Sequence, residues 1–116
     1  MITGLGVDIV HIPTFKKALL ETPRLKRRVF SEAEQKNTFQ SLAARFAVKE
    51  AFIKSLRGEL QIELRDIVVC KQDKSPSLNI DYEKYPYLKN FEFELSISHN
   101  HDYAIAAVLS NRKLEL

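Results

Sequence analysis

The chain has 116 residues, 45% hydrophobic and 28% charged, a size and balance suited to one globular domain over residues 1–116. No apolar run approaches the ~20 residues of a membrane helix, and the opening segment lacks the basic region and cleavage site of a secretory signal. The single cysteine, Cys70, excludes an internal disulfide and fits a reducing compartment, so the cytoplasm is the expected location and no membrane partner is expected. The net charge of +3 conceals an imbalance: Thr14 to Arg57 carries 11 Lys and Arg against 4 Asp and Glu, whereas Gly58 to Leu95 carries 5 against 8. A basic half of this kind suits an anionic partner (phosphates, nucleic acid or an acidic protein), or is simply a solvated lysine-rich face.

Ile2 to Val10 reads as a strand, with Met1, Thr3, Leu5, Val7 and Ile9 on one face and Ile2, Gly4, Gly6, Asp8 and Val10 on the other. Pro13 can sit in the first turn of a helix running to about Leu20, and Pro23 ends it or bends the chain. The basic run Arg24-Leu25-Lys26-Arg27-Arg28 follows, then Ser31 and Glu34 at capping-box spacing, opening a short helix toward Phe39. Ser41 to Arg57 is the strongest helical segment. Arg65 to Lys71 reads as a strand. The polar stretch Gln72 to Lys89 should hold one short strand near Leu78 to Ile80 and turns around Pro86. Phe91 to Ser98 alternates strictly, with Phe91, Phe93, Leu95 and Ile97 inward, and Tyr103 to Leu109 returns as an apolar strand after a turn at His99 to Asp102. The fold class is α+β: a small antiparallel sheet packed with a long central helix.

The central helix carries its charges in an unusual setting. Between Leu42 and Leu56 there are ten apolar residues, one serine and four charged ones, Arg45, Lys49, Glu50 and Lys54. The apolar side chains fall nearly all round, the pattern of a helix buried between other elements or subunits. Glu50 and Lys54 stack at i,i+4 on one edge, and Arg45 and Lys49 do so on another. An unpaired buried charge costs several kcal/mol, so these residues should meet counter-charges, a metal or an anionic ligand; a plain surface pair of Glu50 and Lys54 is the alternative.

Asp8 narrows the choice. It lies in an otherwise apolar strand on the face of Gly4 and Gly6, where small neighbours leave room for close approach. Pairing with Arg45 or Lys54 is one role for it. Sharing a hard cation with Glu50 is the other, because Mg²⁺ is held by one or two carboxylates plus phosphate oxygens and water. His11, His99 and His101 make no zinc spacing, no Gly-x-Ser-x-Gly elbow occurs, and three glycines form no phosphate loop.

In this order the pieces resemble the short bacterial holo-acyl carrier protein synthases of the 4′-phosphopantetheinyl transferase superfamily. The residues that carry the resemblance are Gly4-Leu5-Gly6-Val7-Asp8-Ile9-Val10, Arg28-Val29-Phe30-Ser31-x-x-Glu34, Ser41 through Lys54, Asp66-Ile67 and Leu95-Ser96-Ile97-Ser98-His99. The resemblance implies transfer of 4′-phosphopantetheine from coenzyme A to a serine of apo-acyl carrier protein in fatty acid biosynthesis, releasing adenosine 3′,5′-bisphosphate. It also implies Mg²⁺ on Asp8 and Glu50, and Lys54 on the phosphate under attack. Arg45, Lys49 and His99 become candidates for coenzyme A phosphates or nearby packing, and Glu50 or a water accepts the serine proton. A homotrimer with sites between subunits is implied, which would account for the helix apolar all round. The acidic carrier would dock on Lys16, Lys17, Arg24, Lys26, Arg27 and Arg28. Three positions depart from the family pattern: His11 replaces a glutamate, Leu56-Arg57-Gly58-Glu59 replaces Gly-Thr-Gly, and Thr14 stands where a basic residue is common. The alternative is a non-enzymatic basic module for nucleic acid or an acidic protein. It lacks an RNA-recognition signature and exposed stacking aromatics, so no nucleic acid is expected as partner.

Overall fold

The protein is described here by a computed structural model covering residues 1–72 and 75–113, with Gln72 described in its backbone alone. Residues 73 and 74 of the expected polar stretch, and 114–116 of the expected domain, lie outside the described residues.

Strand β1 (Ile2–His11) pairs antiparallel with β5 (Tyr103–Arg112), and β5 pairs on its other edge with β4 (Phe91–His99). The β4–β5 turn is built by Asn100, whose side-chain oxygen accepts from the backbone N–H groups of Asp102 and Tyr103, both at 2.8 Å. This is how a short polar side chain replaces a backbone partner in a tight turn. Helix α1 (Ile12–Glu21) follows β1 directly, and Pro23 does both things open to it: α1 stops, and a second helix, α2 (Pro23–Val29), starts on the proline.

The capping box forms, since Ser31 N–H donates to Glu34 Oε1 at 3.0 Å and Glu34 N–H to Ser31 Oγ at 3.4 Å. It opens only a single 3₁₀ turn, Glu34–Lys36, in place of the expected helix. The long helix α3 (Phe39–Ser55) starts two residues earlier than its apolar pattern suggested, because Thr38 accepts from Ser41 N–H at 3.1 Å as N-cap. Arg57 and Gly58 end it in left-handed conformations, φ +56° and +76°. Strands β2 (Val68–Gln72) and β3 (Ser75–Asn79) form a separate hairpin, with 3₁₀ turns at Leu64–Asp66 and Pro86–Asn90.

The helix α3 lies on one face of the sheet, against β1 and β5, and the strand glycines set how closely it lies. A Cβ on Gly4 would stand 1.8 Å from the Ser55 carbonyl oxygen, and one on Gly6 would stand 1.7 Å from that of Ala51. The space over Gly4 and Gly6 is therefore filled by helix backbone. Two strand residues advance about 6.7 Å and one helical turn about 5.4 Å, so Gly4 with Ser55 and Gly6 with Ala51 keep step. The next inward residue, Asp8, then arrives level with the middle of α3.

Most of the apolar circumference of α3 is covered within the chain, with Phe46 and Ile53 left half-buried. Phe52 and Val48 are fully buried, Phe52 packs on Phe93 at 4.7 Å between ring centroids, and Phe46 stacks on Phe15 of α1 at 5.1 Å. The open apolar surface is instead the opposite face of the sheet. There Leu5 and Ile9 are 61% and 62% exposed, beside exposed Val7, Tyr103 and Ile105.

Candidate active site

Asp8 and Glu50 converge. Both line one open cleft of about 450 Å³, walled by Val10, Thr14, Phe15 and Phe46. The strand supplies Asp8 because Gly4 and Gly6 seat β1 on the helix, and the helix supplies Glu50 from the edge facing α1. Lys54 does not line the cleft but reaches Asp8 at its border, since helical side chains lean toward the N-terminus: its ammonium donates to Asp8 Oδ1 and to the Val7 carbonyl oxygen, each at 3.1 Å. Its side chain is 53% exposed, that of Asp8 17%.

The electrostatics of the cleft are those of a carboxylate pair short of positive charge. Glu50 is pushed above its ordinary proton affinity, first by burial and second by the negative charge of Asp8, with Lys54 opposing. A glutamate whose ionisation is disfavoured by burial and by a neighbouring aspartate, with one lysine bonded to that aspartate, suits a hard cation with oxygen ligands. Among the described residues no third acid, histidine or cysteine joins them as a cluster. That suits a metal which takes its other ligands from substrate phosphates and water. The backbone carbonyl of Val7 is a participant that side-chain patterns could not reveal.

The other charged pair of α3 has a different fate. Lys49 is fully buried, and its ammonium donates to Glu34 Oε1 at 2.7 Å, the Val29 carbonyl at 2.9 Å and the Leu64 carbonyl at 3.0 Å. All three protons are used and Phe30 covers it at 5.0 Å, so of the two roles expected for Lys49, contact with a coenzyme A phosphate or nearby packing, the geometry favours packing. Burial pulls its ammonium below the ordinary lysine value, with Glu34 opposing. Arg45 joins the same anchor, with its guanidinium 3.7 Å from Glu34 Oε2, bonded to the Val69 carbonyl and 3.2 Å from Ser41 Oγ. Glu34 was legible only as a capping residue; its second task, holding two cations and Val69 N–H at 3.1 Å, depends on tertiary packing.

His99 is exposed, with Nδ1 3.1 Å from Gln40 Nε2 near the start of α3. Ten residues of helix, about 15 Å, separate that point from Glu50, so one chain does not bring His99 to the cleft. His11 lines the cleft, with Nδ1 2.6 Å from Thr14 Oγ1 and its ring 5.0 Å from that of Tyr103. The basic residues are shared between α1 and α2. Lys17 pairs with Glu21 at 3.9 Å, Lys16 stands 5.3 Å from the Phe39 ring, and Arg27 and Arg28 border a second cleft with Arg65, whose guanidinium binds the Arg27 carbonyl. Arg24 is exposed and Lys26 half-buried on α2. Among the described residues no helix is long and apolar enough to cross a membrane.

Comparison with known proteins identifies the family of the chain. Residues 4–108 match the family model described as the 4′-phosphopantetheinyl transferase superfamily. The holo-[acyl-carrier-protein] synthase of Leifsonia xyli is 37% identical over 108 residues, 91% of this chain and 92% of the relative. That of Clostridium tetani is 39% identical over 118 residues, 91% and 93% of the two chains. The crystal structure of the Helicobacter pylori synthase in complex with coenzyme A superposes with a TM-score of 0.80 at 30% identity, covering 92% of this chain and 99% of that one. The chain belongs to the 4′-phosphopantetheinyl transferase superfamily, and within it to the holo-acyl carrier protein synthases.

Proposed function

We propose that the protein transfers 4′-phosphopantetheine from coenzyme A to a serine of apo-acyl carrier protein in the cytoplasm, with Mg²⁺ held by Asp8 and Glu50, in service of fatty acid biosynthesis. The convergence of these two carboxylates in one cleft, with Lys54 bonded to Asp8, is the observation that carries the reading. Family membership supplies the substrates, because the relatives are named for this activity and the Helicobacter pylori enzyme was crystallised with coenzyme A.

Phosphoryl transfer asks for positioning and charge neutralisation more than for covalent help. Asp8 and Glu50 would hold a Mg²⁺, which would supply Lewis acidity toward the pyrophosphate and offset charge on the leaving adenosine 3′,5′-bisphosphate. Asp8 and Glu50 fix the place of that charge because one sits on a strand and the other on a helix packed backbone to backbone against it. Lys54, on a flexible and half-exposed stem, can present its ammonium to the non-bridging oxygens of the phosphate under attack. The apolar wall of Phe15 and Phe46 lowers the local dielectric and strengthens each of these interactions.

The open sheet face around Leu5, Val7, Ile9 and Ile105 supports the homotrimer that the family resemblance implies. A site between subunits is also where His99, remote from Asp8 within one chain, would reach coenzyme A, and Arg45 remains a candidate for its phosphates. The acidic carrier would dock on the basic surface of α1 and α2, through Lys16, Lys17, Arg24, Lys26, Arg27 and Arg28. A nucleic-acid module is disfavoured, since Phe15, Phe30, Phe52 and Phe91 are buried and the exposed Tyr82 and Tyr103 lie outside the basic helices α1 and α2.

Incubation of apo-carrier protein with coenzyme A, Mg²⁺ and the enzyme, read by intact mass, tests the reading. Addition of one phosphopantetheine, abolished by EDTA, is expected; a carrier of unchanged mass under all conditions would refute it. Lys17→Ala should chiefly weaken carrier binding and reduce its sensitivity to salt, as measured by titration at two ionic strengths.

A further inference from the structure

One carboxylate of the cleft is already bonded to a cation of the chain's own. Lys54 holds Asp8 Oδ1 and the Val7 carbonyl at 3.1 Å each, so one of the two carboxylates is neutralised in the free protein. Counted together, Asp8, Glu50 and Lys54 leave a net charge of −1 for an arriving divalent ion, and part of what attracts it is spent on the ammonium. A metal on Asp8 would also stand beside that ammonium, and like charges at such range repel strongly in a partly desolvated cleft. Relief comes from an anion that can take the lysine. The lysine can move: its side chain is 53% exposed on a four-carbon stem, whereas Asp8 is held in a strand paired on one edge and packed on α3.

We propose that Lys54 is the resident counter-ion of Asp8, and that it makes metal loading depend on the phosphate-bearing substrate by yielding the carboxylate to the cation when a pyrophosphate is present to receive the ammonium. The inference rests on the metal reading of Asp8 and Glu50 given above. It assigns Lys54 a task beyond contact with the reacting phosphate: coupling two binding events. Coupling of this kind is reciprocal, so coenzyme A should tighten the metal by the same factor as the metal tightens coenzyme A. A lysine that only touched phosphate would leave the affinity for metal alone unchanged when removed.

Manganese(II), followed by electron paramagnetic resonance, serves as the probe, with wild type, Lys54→Gln and Lys54→Arg compared with and without coenzyme A. Without coenzyme A, Lys54→Gln should bind Mn²⁺ about 5- to 10-fold more tightly than wild type, and the further tightening caused by coenzyme A should shrink. Lys54→Arg, which keeps the charge, should stay near wild type. If Lys54→Gln binds Mn²⁺ no more tightly than wild type, while added Asp8→Asn weakens binding in both, the coupling role is wrong and the metal reading stands. If Mn²⁺ binding is indifferent to Asp8→Asn in both backgrounds, the metal reading fails and the inference fails with it.

Discussion

Helix α3 carries two charged pairs at the same spacing, and the structure treats them in opposite ways. Arg45 and Lys49 turn inward to Glu34, where Lys49 is fully buried with every proton accepted. Glu50 and Lys54 turn to an open cleft, where Lys54 meets Asp8 and Glu50 is left with a raised proton affinity. In the first cluster Lys49 is fully engaged by the chain itself, whereas among the described residues no ion pair is made to Glu50 in the second. Spacing alone cannot separate a structural ion pair from a binding site; the degree to which each charge is already satisfied can.

The sharpest way to break this contrast is to cut the buried cluster. Lys49→Met removes the nearer of the two cations on the buried Glu34 carboxylate and should cost about 3–5 kcal/mol in urea unfolding. The double variant Glu34→Leu with Lys49→Met should recover much of that loss. Cutting the open cluster should do the reverse. Asp8→Ala or Glu50→Ala should lower phosphopantetheine transfer about 100- to 1000-fold in a mass-based rate assay, with little change in unfolding midpoint.

A third variant connects the two regions through the backbone. Gly6→Ala places a methyl 1.7 Å from the Ala51 carbonyl oxygen, so strand and helix must separate, at a cost of about 1–3 kcal/mol by chemical unfolding. Transfer should fall as well, since Asp8 moves with the strand and Glu50 with the helix.

The smallest expected effect concerns pH. Burial first, and Asp8 second, raise Glu50 above its ordinary value of 4.5, against the pull of Lys54. The folded chain therefore holds this proton more tightly than the unfolded chain does. Its stabilising contribution is complete below pH 4.5 and is lost as pH rises through the raised folded value. Glu50→Gln, free of metal and substrate, should thus melt above wild type at pH 7, and the advantage should vanish below 4.5 when both are followed by calorimetry. A site group that destabilises the empty fold is the expected cost of binding machinery.

Much of the fold was legible because its signals are local. The alternation of Phe91 to Ile97, the Gly-x-Gly-x-Asp pattern of β1 and the apolar run of α3 each name an element and a face. Thr38 as N-cap was hidden by the polar residues around it, and the 3₁₀ turn at Glu34 resulted from a capping box that had no helix to continue. The site was legible as a family pattern and, more weakly, as misplaced charge in a buried helix. What could not be read were facts of packing: that Gly4 and Gly6 admit helix backbone, that Glu34 claims Lys49 and Arg45, and that the unpartnered apolar surface belongs to the sheet.

The central claim is that one cation held jointly by Asp8 and Glu50 serves the transfer reaction. Intact-mass analysis of apo-carrier protein incubated with coenzyme A and Mg²⁺, using wild type and Asp8→Ala side by side, tests it most directly. The account predicts prompt mass gain with wild type that EDTA removes, and almost none with Asp8→Ala. Undiminished gain with Asp8→Ala, or with wild type in EDTA, would contradict it.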